Sequence, residues 1–340
     1  MNFTSERKRL GFILVAAALF LFSLFGGRQT VNAAESFSVR VAGSNSSYIE
    51  RQVKPKQNLR VKLIFVNNSA KVQTVNVSPN QAITGDNGLV QYNLANPGKR
   101  YFGQNNFRQM TSGPHRVRLA AHAQVSKTYV VKVPRKAFKG VLAGSFYVSQ
   151  ITKPQKDKKA AGQKAVMGYR NVYSYAIPLI LRESKQVVHT KLAMPKVMTK
   201  VDRSNPFIIV RLANETPTMF GQLVVTTKVV NPRTKKSVFA QTKKNLAMAP
   251  LSYFDNHVLL NKKLSSGTYD LLVIAQSGTR QWQFKQKVEI DAKLAQAASQ
   301  KDRSPKDHKI WLWLAIGAAV IVILLMLSGM YCLGKRHGKN

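Results

Sequence analysis

One cysteine, Cys332, stands in 340 residues, which excludes internal disulfides and cysteine-built zinc sites. Six scattered histidines leave little material for other metal centres, and no cofactor is expected. Acidic residues are scarce: Asp and Glu number 14 against 53 Lys and Arg, a net charge of +39. A glycosidase needs two carboxylates facing one cleft, and this chain has few to offer. HExxH, GxSxG and Walker motifs are absent, so no catalytic constellation is expected. A chain 44% hydrophobic and 20% charged is not disordered or collagen-like. Its length allows two domains of about 120–140 residues once the termini are removed.

Long apolar runs are confined to the two ends. Glu6-Arg7-Lys8-Arg9 precedes the uncharged run Leu10 to Phe25, and Val31 and Ala33 are small residues where a signal peptidase reads. Residues 1–33 are therefore predicted to be a secretory signal peptide cut near Ala33 or Ala34, with an uncleaved anchor as the competing reading. Ile310 to Leu333 holds 24 residues without a charge, long enough to cross a ~30 Å hydrocarbon core as a helix. Trp311 and Trp313 fit an interfacial aromatic belt, and Lys335, Arg336 and Lys339 form a basic inner flank. Together these predict a single-pass protein in the cell membrane with an extracellular ectodomain and a basic cytoplasmic tail over 334–340. Residues 292–309 read as a polar stalk, with a short helix allowed by the Ala-rich stretch Ala292 to Ala298.

The leader and tail each carry +3, which leaves +33 on the ectodomain, +17 over 34–160 and +16 over 161–309. Nucleic acid is the reflex partner of such a surface, but the extracellular compartment argues against it. Teichoic acids and anionic lipid headgroups are the polyanions an extracellular bacterial surface would offer; a merely solvated basic surface is the bland alternative.

The ectodomain alternates with period two. Leu59, Val61, Leu63 and Phe65 fall on one side of a strand, and Arg60 and Lys62 on the other. Phe37 to Val41, Val72 to Val77, Val125 to Val133 and Leu142 to Val148 continue the series between turn signals such as Asn67-Asn68-Ser69. The second half repeats the style at Pro206 to Ala213, Leu223 to Val230, Tyr269 to Val273 and Trp282 to Ile290. Tyr269, after a glycine turn, suggests a tyrosine corner. The fold class that follows is all-β: two tandem immunoglobulin-like antiparallel β-sandwich domains, 34–160 and 161–291, plus one C-terminal transmembrane helix. Residues 153–163 carry no apolar pattern and form either a linker or an exposed hairpin loop. In the second case the boundary falls near Leu181.

Within the first domain, Asn96 to Arg118 is the least strand-like stretch and the most binding-like. Its aromatic rings can stack on sugars, and its guanidinium groups can pair bidentately with carboxylate or phosphate. Arg100, Tyr101, Phe102, Phe107 and Arg108 are the binding candidates. The alternative is an ordinary loop whose aromatics pin it to the core.

The chain resembles the WxL-interacting protein family of Gram-positive bacteria. In the first domain the resemblance is carried by Asn67-Asn68-Ser69, Gln73 to Val77, Asn87 to Tyr92 and Phe138 to Gly144; in the second by Tyr173 to Ile177, Met248 to Ser252, Gly267-Thr268-Tyr269 and Trp282. Pro55-Lys56 stands where the family often has Pro-Gly, and Leu251 where it often has Asn. The resemblance implies a peptidoglycan-binding domain, a host-binding domain and a membrane anchor. Its implied partners are peptidoglycan, WxL-domain surface proteins and, in some members, host extracellular matrix proteins. With the absence of a catalytic constellation, the expected function is a non-catalytic, membrane-anchored cell-surface protein that binds the cell wall and holds WxL-domain surface proteins there. The alternatives are a stand-alone adhesin and a wall-modifying enzyme.

Overall fold

A computed structural model describes residues 36–44, 46–151, 172–303 and 316–319. The predicted leader, the 153–163 segment and the cytoplasmic tail lie outside them. So does the predicted span, apart from 316–319, which are helical. Among the described residues no helix is long and apolar enough to cross a membrane.

The chain begins with β1 (Phe37–Val41), β2 (Ile49–Gln52), β3 (Asn58–Asn67) and β4 (Gln73–Gln81). A small hairpin of β5 (Ile83–Thr84) and β6 (Val90–Gln91) follows. A one-turn helix, Phe107–Met110, leads into β7 (Thr111–Ser112), β8 (Arg116–Leu119) and β9 (Gln124–Lys132). Next come β10 (Leu142–Gln150) and β11 (Ser174–Arg182). Two sheets result, β1-β3-β9-β7 and β2-β11-β10-β4-β8. Their facing sides share one core: Phe37, Leu63, Phe65 and Tyr129 from the first sheet meet Val75, Phe146, Val148 and Leu179 from the second. The period-two strands fold this way because half of each strand must leave water.

The second half supplies β12 (Leu192–Asp202), β13 (Asn205–Asn214), β14 (Phe220–Val230) and β15 (Ser237–Met248). β16 (Ser252–Leu259), β17 (Gly267–Ser277) and β18 (Arg280–Ile290) complete it. These form the sheets β12-β13-β16 and β15-β14-β17-β18 around a separate core that includes Val210, Phe254, Leu271 and Val273. Tyr269 Oη donates to the Ser265 carbonyl at 2.9 Å, the hydrogen bond of a tyrosine corner.

The structure departs from the sequence reading at three places. β11 pairs with β10 and β2 in the first sandwich, so the chain passes from one sandwich to the other between Arg182 and Leu192. That is the boundary near Leu181, not the one at 160/161. β11 also pairs with β2 in parallel, which makes that sheet mixed rather than wholly antiparallel. Finally, the helix allowed at the start of the stalk forms, as Ala292–Arg303, but it does not belong to a polar stalk: it docks on the second core through Leu294, Ala295 and Ala298. Asp291 caps it by accepting from the Leu294 N–H at 2.7 Å. Mean polarity hides this, because one leucine and small alanines are enough to seat a helix.

Two buried asparagines close corresponding strands. Asn67 Nδ2 donates to the carbonyls of Lys71 and Ala120, and its Oδ1 accepts from Ser69. At the end of β13, Asn214 donates to Thr218 and Ala249 and accepts from Thr216. Burying each side chain satisfies backbone groups where a strand leaves its sheet.

Candidate functional site: a hydrogen-bonded seam and a polar sheet face

Short side chains let the two sandwiches meet closely. Ala82 and Ala143 of the first pack against Ala249 of the second, flanked by Val90, Tyr92, Val141 and Met219. Backbone bonds cross the joint: Val141 N–H to Pro217 O at 2.7 Å, Ala247 N–H to Gly88 O at 2.7 Å, and Phe102 N–H to Leu251 O at 3.0 Å. Buried Thr84 Oγ1 accepts from the Ala249 N–H at 3.0 Å and lies 2.8 Å from Ser252 Oγ. Ser252 spends its own proton on the Ala249 carbonyl, so Thr84 donates to Ser252. Gly140 has a positive φ of 76°, and a Cβ there would lie 2.2 Å from the Pro217 carbonyl oxygen. Both facts require glycine. The segments Asn87 to Tyr92, Phe138 to Gly144 and Met248 to Ser252, which carried the family resemblance, all contribute residues to this seam.

Leu251 and Lys56, the two departures from the family pattern, sit at φ 47° and 64°, the left-handed region that favours Asn and Gly. The turns form regardless, at a backbone cost of about 1–2 kcal/mol each.

Three of the five wall-binding candidates lie at the seam. Arg100 forms a bidentate pair with Asp86 at 2.7 Å for both bonds. Asp86 Oδ1 also accepts from the backbone N–H of Asp255, across the joint, at 3.1 Å. Burial raises the Asp86 carboxyl, but the Arg100 and Asp255 hydrogen bonds, with the charges of Arg100 and His257, outweigh it and hold the group below its ordinary value. Asp255 is bidentate to Arg211 at 2.8 Å, and the Arg211 guanidinium lies 4.0 Å from the centre of the Tyr253 ring. Tyr101 donates to the Asn105 carbonyl at 2.8 Å and bridges to Ser252; burial pushes its hydroxyl pKa up to about 12. Phe102 is 47% exposed and borders a cavity of about 410 Å³ with Pro195, Lys196, Arg211 and Tyr253. Phe107 is fully buried in the first core, edge-on to Phe146 at 5.9 Å, so its ring has no surface to offer a ligand. The structure thus disperses the five.

Arg108 alone reaches the outer face of the five-stranded sheet. Its Nη1 donates to Ser78 Oγ at 3.0 Å, Ser78 donates to Asn80 Oδ1 at 2.7 Å, and Asn80 Nδ2 donates to the Tyr92 carbonyl at 2.7 Å. Tyr147 lies directly across from Ser78 on one side and Ala176 on the other; Ser149 lies across from Asn76 and Ser174, and Asn76 from Arg116. One half-buried tyrosine ring, the half-buried Asn76 and Ser149, and two exposed arginines therefore share a sheet face, with Ser78 and Asn80 buried beneath Arg108. Such a surface can stack on a sugar ring, bond its hydroxyl and acetamido groups, and pair with carboxylates. Sequence reasoning missed Tyr147. Its signal was parity, since it stands between the core residues Phe146 and Val148 and so must point outward. Among the described residues no group of three or more His, Cys, Asp or Glu is placed to hold a metal ion.

The profile of the WxL Interacting Protein peptidoglycan binding domain matches residues 38–150, and that of the WxL Interacting Protein host binding domain matches 164–300. The chain belongs to the WxL-interacting protein family. The second match begins upstream of β11, a strand that the structure places in the first sandwich. No curated protein matches the chain. Among solved structures, the YadV chaperone is similar at 10% identity, covering 75% of this chain and 100% of its own, with a TM-score of 0.32. The class 5 fimbriae chaperone CfaA is similar at 11% identity, with coverage of 74% and 98% and a TM-score of 0.30. The E. coli chaperone DraB is similar at 14% identity, with coverage of 74% and 99% and a TM-score of 0.29.

Proposed function

We propose that this WxL-interacting protein is a non-catalytic, membrane-anchored surface protein with two tandem immunoglobulin-like sandwiches. The first binds peptidoglycan through the outer face of its five-stranded sheet. The second engages WxL-domain surface proteins and, as a further ligand, host matrix protein. The observation that carries the wall-binding half is the grouping of Tyr147, Asn76, Ser149, Arg108 and Arg116 on one face, with buried Ser78 holding Arg108 in place. The two domain profiles support the division of labour, and the hydrogen-bonded seam supports a fixed angle between the two binding surfaces. In this reading the leader is removed and the 310–333 segment crosses the membrane.

Co-sedimentation of the full-length protein with purified peptidoglycan tests the wall-binding half. Tyr147→Ala should weaken binding at least tenfold without lowering the melting temperature of the fold. Unchanged binding would remove this face from the reading. Capture of a WxL-domain protein by crosslinking in intact cells separates the scaffold from a stand-alone adhesin, which would capture only host ligand. Deleting 310–333 should move the protein from the membrane fraction to the medium, and retention would mean that the leader stays as the anchor.

A further inference from the structure

The cations of the two sandwiches are answered very differently. In the second, acids are interleaved with bases, as in Lys191–Glu215, Arg211–Asp255 and Lys285–Asp270. In the first, only Glu50 and Asp86 occur between Ser36 and Ile151, and each is already paired, with Arg182 at 2.6 Å and Arg100 at 2.7 Å. The sheet β1-β3-β9-β7 contains no acidic residue. Its inner side is spent on the core, so alternation turns Arg40, Arg60, Lys62 and Lys132 outward, all exposed and, among the described residues, none in an ion pair. Arg60 and Lys62 are two residues apart on one strand, about 6.7 Å. At the Lys132 end the face opens into a shallow cavity of about 670 Å³ that also includes Lys56 and Arg135. Two backbone bonds tie its rims together: Lys56 N–H to Pro134 O at 3.1 Å and Val133 N–H to Gln57 O at 2.8 Å. An adjoining groove over Gln52 to Gln57 holds one carboxylate, Glu183, with an oxygen buried away from solvent.

Six like charges on one rigid surface repel one another and favour the binding of a polyanion. We infer that this face binds a linear polyphosphodiester that carries no bases, of poly(glycerol phosphate) type. Guanidinium groups fit phosphate bidentately and ammonium groups act as point charges beside them. The residues between the cations are Asn58, Ile64, Ser126, Thr128 and Val130, which provide no aromatic ring for base stacking. The inference rests on the wall-facing reading above but uses the opposite sheet of the first sandwich.

The test uses full-length protein and soluble poly(glycerol phosphate). The face variant R60Q/K62Q/K132Q/R135Q should bind at least tenfold more weakly, and its slope of log affinity against log salt should fall by about 0.7 for each phosphate the variant no longer neutralises. A control, R233Q/K235Q/K262Q/K263Q, removes the same charge from exposed positions of the second sandwich and should change binding less than twofold. Equal losses in the two variants would overturn the site in favour of bulk charge. Single-stranded DNA bound as tightly as the polymer would overturn the base-free chemistry. Binding to phosphatidylglycerol vesicles but not to the polymer would assign the face to lipid headgroups instead. Peptidoglycan binding, measured on the same samples, should be unaffected in the face variant. If wild-type protein fails to bind peptidoglycan, the proposed function fails while the polymer result stands.

Discussion

Phe107 and Arg108 are neighbours in a single helical turn, and their substitutions should have opposite consequences. The Phe107 ring has no exposed surface and rests on Gly144, where even a Cβ would come within 2.1 Å of its Cγ. Removing a buried phenylalanine costs about 3–5 kcal/mol, and more where the surroundings cannot collapse into the gap. Here the floor of the gap is strand backbone, held by Gly144–Gln81 and Gly144–Leu179 pairing, so the upper half of that range is expected for Phe107→Ala. At about 2–4 °C per kcal/mol for a unit of this size, 4 kcal/mol is roughly 8–16 °C of melting temperature. The glycine beneath the ring offers a second perturbation. Gly144→Ala alone should destabilise by forcing the ring away, whereas in the Phe107→Ala background its methyl enters vacated space and should be neutral or stabilising. A double-mutant cycle by calorimetry therefore predicts a coupling of reversed sign. Arg108→Ala, at an exposed position bonded to Ser78, should leave melting within about 2 °C and weaken peptidoglycan binding. Gly144→Ala equally harmful in both backgrounds, or a Phe107→Ala protein melting like wild type, would refute the packing argument.

Lys56→Gly should relieve left-handed strain, with a net gain of up to about 1 kcal/mol after glycine's larger entropy loss, while weakening poly(glycerol phosphate) binding; a lower melting temperature would contradict the φ of 64°. Leu294→Ala, at a residue 1% exposed, should cost about 2–5 kcal/mol and lower the melting of the second sandwich, whereas a free stalk would show no change. Asp86 has its folded-state pKa depressed, so its contribution is complete above the unfolded value of about 4 and is lost as pH falls through the folded value. The melting advantage of wild type over Asp86→Asn should therefore be constant above about pH 4 and shrink below it; an advantage that persists unchanged at pH 3 would show that the carboxylate charge does not hold the seam.

The strands were legible because a half-buried strand writes its burial into its own sequence. Leu59 to Phe65 alternates in the chain and in the structure alike, as do the residues about Tyr269, whose corner bond closes within four residues. The candidate site was less legible. Arg100, Tyr101 and Phe102 have a binder's composition, but composition does not record that Arg100 is paired with Asp86, fourteen residues back, that Tyr101 turns in on the Asn105 carbonyl, or that the Phe102 N–H bonds Leu251 of the other sandwich. Tyr147 was concealed for the converse reason, since a tyrosine inside an apolar strand looks like core until its parity is followed.

Simple counts therefore determined the lone-cysteine limits and the net charge, and local chemistry determined the β class, the positions of most strands and the family motifs, which depend on neighbours one to four residues away. Tertiary structure decided the rest. It placed β11 in the first sandwich, docked the helix after Asp291, and turned the family motifs into a seam. It also gathered the unpaired cations of β1, β3 and β9 onto one face, because β3 pairs with both its neighbours and sends every second side chain to the same side. Which charges end up adjacent depends on strand register between segments tens of residues apart, and that register is set by the packing of the whole core.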